Sequence, residues 1–109
     1  MPDYVFIQNI SSQSTAIPTD SILSSTFYRG EDAKAILFTF AAGQELSEHT
    51  ASKPAMLHFL QGEAELKLGS ETFTVQPGSW AHMPPGMAHS IFARTDVLML
   101  LYLVEAGCV

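Results

Sequence analysis

The side chains of this sequence that are best suited to chemistry are its four histidines. They are His49, His58, His82 and His89. A neutral imidazole can ligate a divalent metal, accept a hydrogen bond from a ligand or exchange a proton near neutral pH. Which of these roles is open depends on which histidines the fold brings together.

The elements that must position these histidines are short strands. From Ala33 onward, apolar runs alternate with Gly and Pro turn signals, and almost no segment has a helical period. Two sheets that bury their inner faces together would satisfy this pattern, which predicts an all-β sandwich or jelly roll. The predicted strands are Ala33–Ala42, Ala55–Gln61, Glu63–Leu68, Thr72–Val75, Trp80–Met83, His89–Ala93 and Val97–Val104.

The N-terminal part, residues 1–30, is less regular. Tyr4–Ile10 is a predicted first strand. Ser11–Thr26, which is rich in Ser and Thr and broken by Pro18, is a predicted surface loop with short extended pieces. The chain has no internal repeat, and its 109 residues suffice for one core. We therefore expect one domain over residues 1–109.

Composition and charge exclude several classes of partner. The formal net charge is −6, and the five cationic residues are scattered singly along the chain. Nucleic acids and anionic membranes are bound by clustered cations, so we expect neither as a partner. The cationic residues are Arg29, Lys34, Lys53, Lys67 and Arg94.

The compartment is inferred from cysteine usage and targeting signals. Cys108 is the only cysteine and cannot form an internal disulfide. We find no signal peptide at the start and no apolar run near the roughly 18 residues of a membrane span. A cytoplasmic location is the expectation.

His49 and His89 each follow a glycine at a spacing that matches a known motif. Five residues separate Gly43 from His49, and the segment continues over Ala51 and Ala55 to Gly62. In this spacing it resembles the first motif of the cupin superfamily, which holds a second histidine at the Ala51 position and a glutamate at the Ala55 position.

The second segment resembles the second cupin motif. Gly78, Pro84, Gly86 and His89 stand at the motif's spacing, and Ala93 replaces its asparagine. The resemblance spans about residues 36–104 and is to the single-domain, conserved-barrel cupins of type 2. It implies an antiparallel jelly-roll barrel (a double-stranded β-helix), often homodimeric, with a pocket at one mouth.

The resemblance also implies a metal site. Typical cupins hold one divalent metal with three histidines and one glutamate. Carried over to this chain, that role falls to His49 and His89, whereas Ala51 and Ala55 cannot ligate. Zn, Fe, Ni, Mn and Cu are the candidate metals.

His82 and His58 are further candidates that would complete a two-histidine site. His58 lies three residues after Ala55, and an odd offset turns a side chain to the opposite face of a strand. A β-bulge would reverse that facing, and the prolines after Met83 can distort the pleat around His82. One hypothesis is a four-histidine cluster; the alternative places His58 and His82 near each other on an outer sheet face.

Alternation along the strands predicts the pocket lining. From His89 it turns Ile91 inward and Phe92 outward, and from Ala55 it turns Leu57 inward. An apolar lining with few polar anchors suits a small hydrophobic or aromatic ligand. The predicted lining residues are Leu57, Phe59, Met83, Ile91, Ala51 and Ala55.

Three functions are compatible with these residues. The first is a cupin that binds a small molecule, with or without a divalent metal on His49 and His89. The second is a metal-dependent dioxygenase or isomerase with an incomplete ligand set. The third is a non-catalytic dimeric regulatory or assembly module, because Pro54–Leu60 and Val97–Val104 are apolar on both faces, as a partner-covered surface would be.

Overall fold

The computed structural model describes residues 3–14 and 17–104, which fold into two antiparallel sheets. The strands are β1 (Ile22–Arg29), β2 (Ala33–Phe40), β3 (Glu45–His49), β4 (Ala55–Gln61), β5 (Ala64–Leu68), β6 (Glu71–Val75), β7 (Trp80–Met83), β8 (His89–Ala93) and β9 (Val97–Val104). One sheet has the order β1-β2-β9-β4-β7 and the other β3-β8-β5-β6. The predicted all-β architecture of two packed antiparallel sheets is confirmed.

Helical structure is minimal. A 3₁₀ helix spans Ile10–Gln13 and is capped by the Asn9 side chain, which accepts a hydrogen bond from the Ser11 N–H. Among the described residues, no helix has the length and apolar character to cross a membrane. Cys108 lies outside the described residues.

The N-terminal predictions are wrong in two places. Tyr4–Ile10 does not form a strand, and the predicted loop with short extended pieces, Ser11–Thr26, ends in a regular strand because β1 already begins at Ile22. β3 (Glu45–His49) is a further strand that the sequence patterns did not predict. β1 is an edge strand in which Leu23, Ser24, Thr26 and Arg29 are exposed, so its Ser and Thr residues fit there although they are typical of a loop.

The main core fills the space between the two sheets. Along β4, Ala55, Leu57 and Phe59 are buried, whereas the residues between them are only partly buried. This alternation assigns one face of β4 to the core and the other to the outside. The largest side chains that are almost fully buried between the sheets are Phe40, Leu57, Phe59, Leu66, Met83, Ile91 and Met99.

A second apolar cluster covers the outer face of the five-stranded sheet. Ile10 of the 3₁₀ helix and Phe27 of β1 pack against Leu37, Leu98 and Leu100. The chain itself therefore covers part of the surface whose two-sided apolar character suggested a partner subunit. The homodimer stays a prediction.

Candidate functional site

His49 and His89 lie opposite each other because a register shift in β3 turns His49 to the same face of the sheet as Leu46. Leu46 pairs with Ile91, and His49 pairs with His89, so three steps along β3 match two steps along β8. One extra residue on β3, as in a β-bulge, absorbs the difference. Without it, regular pleating would put Leu46 and His49 on opposite faces.

The two imidazole rings lie against each other. Their centroids are 4.1 Å apart and their planes are tilted by 59°. The Nδ1–H of His49 donates to the Ser47 carbonyl at 2.8 Å, and that of His89 donates to the Met87 carbonyl at 3.0 Å. A carbonyl oxygen can only accept, so each Nδ1 carries the proton and each neutral ring keeps its lone pair on Nε2.

The two rings differ in their access to solvent. His49 lies exposed at the rim, whereas His89 is only 5% exposed. No buried side-chain nitrogen or oxygen among the described residues lacks a hydrogen-bond partner. The Nε2 of His89, for which the described residues provide no partner, therefore reaches solvent.

Burial shifts the titration of His89. Desolvation lowers its pKa below the ordinary value of 6.5, and the neighbouring His49 acts in the same direction. The hydrogen bond with the Met87 carbonyl opposes both effects but does not outweigh them. At neutral pH the His89 imidazole is therefore neutral, and its Nε2 is a hydrogen-bond acceptor.

We expect the free energy of unfolding to fall as the pH drops through the range just below 6.5. There the unfolded chain binds a proton at His89 more readily than the folded chain does, since the folded pKa of His89 is lowered. The contribution of His89 to the free energy of unfolding is fully present above its pKa in the unfolded chain. It is lost below its pKa in the folded chain. Urea unfolding between pH 5 and 8 measures it; His89→Gln should flatten the slope, and an unchanged slope would contradict the assignment.

The positions equivalent to the missing cupin ligands lie at the same end of the barrel. The carbonyl of Ala51 accepts a hydrogen bond from the Gly86 N–H at 2.8 Å, which joins the β3–β4 loop to the proline corner before β8. Ala55 pairs with Met83 and is 1% exposed. Neither methyl group can ligate, and Ala51 borders an open pocket whereas Ala55 belongs to the core.

His58 and His82 do not join this pair. His58 alternates with Leu57 and Phe59, whose side chains enter the core, so it faces outward from β4. His82 is exposed and lies opposite Met56. The four-histidine cluster is therefore not formed, and the two outer histidines are diagonal neighbours on the outer sheet face.

The donor set does not fit a metal held by the protein alone. Within residues 3–14 and 17–104, no group of three or more His, Cys, Asp or Glu side chains is arranged to hold a metal ion. His49 and His89 supply two nitrogen ligands, whereas catalytic and structural zinc sites use three or four protein ligands. A metal bound to these two imidazoles would need its remaining ligands from outside the described residues.

Most predicted lining residues face the barrel interior but form part of its packed core. Their exposure is 1–2% for Leu57, Phe59, Met83, Ile91 and Ala55. Ile91 is buried and Phe92 is 37% exposed, which is the facing that alternation predicts. Of the six predicted residues, Ala51 borders an open pocket of about 410 Å³ at the barrel end.

That pocket also contains residues that sequence reasoning missed. Arg29, Lys34 and Lys53 line it, although they are scattered along the chain. Arg29 and Lys34 could have been predicted to lie together from the short segment that separates them in the sequence. Read as a hairpin turn, it puts these two residues opposite each other, as the observed pairing of β1 with β2 does.

Comparisons with known proteins agree with this architecture. The sequence model of the Cupin domain family matches residues 36–105, which is more than half of the chain. A conserved protein of unknown function from Streptococcus pyogenes has a TM-score of 0.82 and 28% identity, covering 98% of this chain and 93% of that one. A search of curated proteins found no match.

Two further solved structures share the fold at lower identity. A cupin superfamily protein from Desulfitobacterium hafniense has a TM-score of 0.80 and 21% identity, covering 95% of this chain and 94% of that one. KdgF from Halomonas sp. has a TM-score of 0.76 and 17% identity, covering 97% of each chain. At these identities the likeness shows the fold alone.

Proposed function

The chain belongs to the cupin family, and on that premise we propose that it binds a small organic molecule at the end of its barrel, anchored by His49 and His89. The observation that supports this is the ring pair, with centroids 4.1 Å apart and both Nδ1–H groups held by backbone carbonyls. Two hydrogen-bond acceptors are thereby held side by side.

The surroundings of the pair favour a ligand with an apolar body and a hydroxyl group. Leu68 lies opposite His89 on β5, and Leu46 and Met87 pack at the edge of the core. A ligand hydroxyl would donate to an imidazole Nε2 while its carbon framework covers these side chains. Apolar walls with few polar anchors are typical of small-molecule sites.

Proton transfer is a second candidate, favoured by the lowered pKa of His89. An imidazole that stays neutral at pH 7 can take a proton from the hydroxyl-bearing carbon beside a carbonyl group and return it to the carbonyl carbon, while the hydroxyl proton passes to the former carbonyl oxygen. This is an isomerase-type reaction that needs no further reactant. Deuterium uptake from D₂O into hydroxyacetone, lost in His89→Gln, would distinguish catalysis from binding.

Phenol is the neutral probe that tests the proposed binding. In ¹H–¹⁵N spectra we expect phenol to shift the amide signals of β3 and β8. Because the single O–H of phenol donates to one Nε2 at a time, at least one of His49→Ala and His89→Ala should weaken binding by about tenfold, through loss of an acceptor worth about 1.5 kcal/mol. The outer-face variant His58→Ala is the matched control and should bind phenol as the unaltered chain does.

Two results would contradict the proposal. One is phenol binding that is equally strong in the unaltered chain, His49→Ala and His89→Ala. The other is one tightly held metal per chain after purification without added metal, lost in His49→Ala, since it would make the imidazoles metal ligands rather than ligand anchors.

A further inference from the structure

Arg29 and Lys34 face each other across the β1–β2 hairpin. They form a directly opposed pair in the register of the two strands. Like charges in that arrangement destabilise a sheet. Within residues 3–14 and 17–104, neither side chain has an ion-pair partner, whereas Lys67 pairs with Glu48 and Arg94 with Glu65. The opposed pair thus carries a repulsion that no ion pair among the described residues relieves.

Both cations lie on the inner side of the five-stranded sheet. Lys34 pairs with Leu103 on β9, and Leu103 packs against the main core. Directly opposed residues share a face, so Lys34 and its partner Arg29 share that side. At this end of the sheet they border the open pocket of about 410 Å³ rather than the packed core.

Lys53 borders the same pocket from the β3–β4 loop. The whole chain has five Lys and Arg residues against eleven Asp and Glu residues. Three of the five cations therefore share one pocket of an acidic protein. A pocket of this volume is in the range of small-molecule sites, and the directly opposed positive charges of Arg29 and Lys34 favour an anion.

The pocket adjoins the histidine pair. Ala51 borders the pocket and follows His49 by two residues, so their Cα atoms are at most about 7 Å apart. The imidazoles of His49 and His89 are not among the residues that line the pocket, so a ligand held by the cations would have to extend past Ala51 to reach them. The hydrogen bond from the Gly86 N–H to the Ala51 carbonyl fixes the loop between them.

We infer that the ligand is a small organic acid whose anionic group binds Arg29 and Lys34 at the barrel end. This inference rests on the proposed function, since it places the rest of the ligand at His49 and His89. Guanidinium and ammonium groups form charge-assisted hydrogen bonds with carboxylate and phosphate, about twice as strong as neutral ones.

A matched pair of probes separates the two proposals. Phenol and 4-hydroxybenzoate share the ring and the hydroxyl group, and only the second carries a carboxylate. We expect 4-hydroxybenzoate to bind at least about tenfold more tightly, with the difference abolished in an Arg29→Gln/Lys34→Gln double variant. Phenol affinity should be unchanged in that variant, and Lys67→Gln should leave both affinities unchanged.

Inorganic phosphate tests the anion site independently of the histidine pair. We expect phosphate to raise the melting temperature of the unaltered chain and of Lys67→Gln, but not that of the double variant. Competition between phosphate and 4-hydroxybenzoate then shows which oxyanion is preferred. Equal binding of the two phenols, or equal stabilisation of the double variant by phosphate, overturns the inference. Loss of phenol binding alone contradicts the proposed function and leaves the phosphate result to decide the anion site.

Discussion

Replacing Gly62 with alanine is expected to lower the free energy of unfolding by about 4 kcal/mol. Gly62 joins β4 to β5 with a φ of +86°, a conformation that strains any residue with a Cβ atom. The added Cβ would also meet the Asp96 carbonyl and the Thr95 hydroxyl in the turn between β8 and β9. Because the Asp96 carbonyl is backbone, it cannot move aside without distorting that turn.

Gly43 offers a control that separates strain from collision. Its φ of +85° is nearly the same, but a Cβ atom there would have nothing within 4 Å. Gly43→Ala should therefore cost only about 1 kcal/mol. Urea unfolding measures the loss of unfolding free energy in each variant. In thermal unfolding, the melting temperatures of the two variants should differ by roughly 15 °C. Equal losses in the two variants would rule out the collision.

Restoring the two missing motif residues, Ala51→His with Ala55→Glu, is expected to create a metal site. The change would place an imidazole at position 51 and a carboxylate at position 55. Together with His49 and His89, these side chains form the ligand set of a complete cupin motif. We expect affinity for Zn²⁺ or Ni²⁺ to rise by at least about a hundredfold, because two imidazoles alone form a weak site. Metal-buffered titration measures this.

The same double variant should become dependent on metal for stability. Ala55 is 1% exposed between Met83 and Leu103, so a glutamate there buries a carboxylate. Without metal we expect a loss of about 3 kcal/mol, recovered on metal binding. Ala51→Asn with Ala55→Gln adds similar volume but neither imidazole nor carboxylate, and should not respond to metal. A folded restored variant with unchanged affinity would show that the four positions do not converge.

The parts of the fold that sequence predicted are those with strong local signals. Ala55–Gln61, Trp80–Met83, His89–Ala93 and Val97–Val104 form strands with the predicted bounds, because turn residues bracket each apolar run. The facing of His58 also followed from strand alternation, since β4 keeps a regular pleat at that residue.

The parts that sequence did not predict depend on tertiary context. β3 (Glu45–His49) is mostly exposed and has no apolar alternation to mark it. The register shift that turns His49 toward His89 is visible only in the pairing of β3 with β8. The opposition of Arg29 and Lys34 likewise required β1, whose Ser and Thr residues read as a loop.

The register shift in β3 gives the site an unequal tolerance to insertions and deletions. Between Leu46 and His49 the strand holds two residues where β8 holds one. Losing one of them would leave an uninterrupted ladder with His49 on the same side, whereas gaining one would leave two surplus residues to accommodate before His49 could reach His89. Chain length between Leu46 and His49, more than the identity of the intervening residues, therefore governs whether the two imidazoles meet.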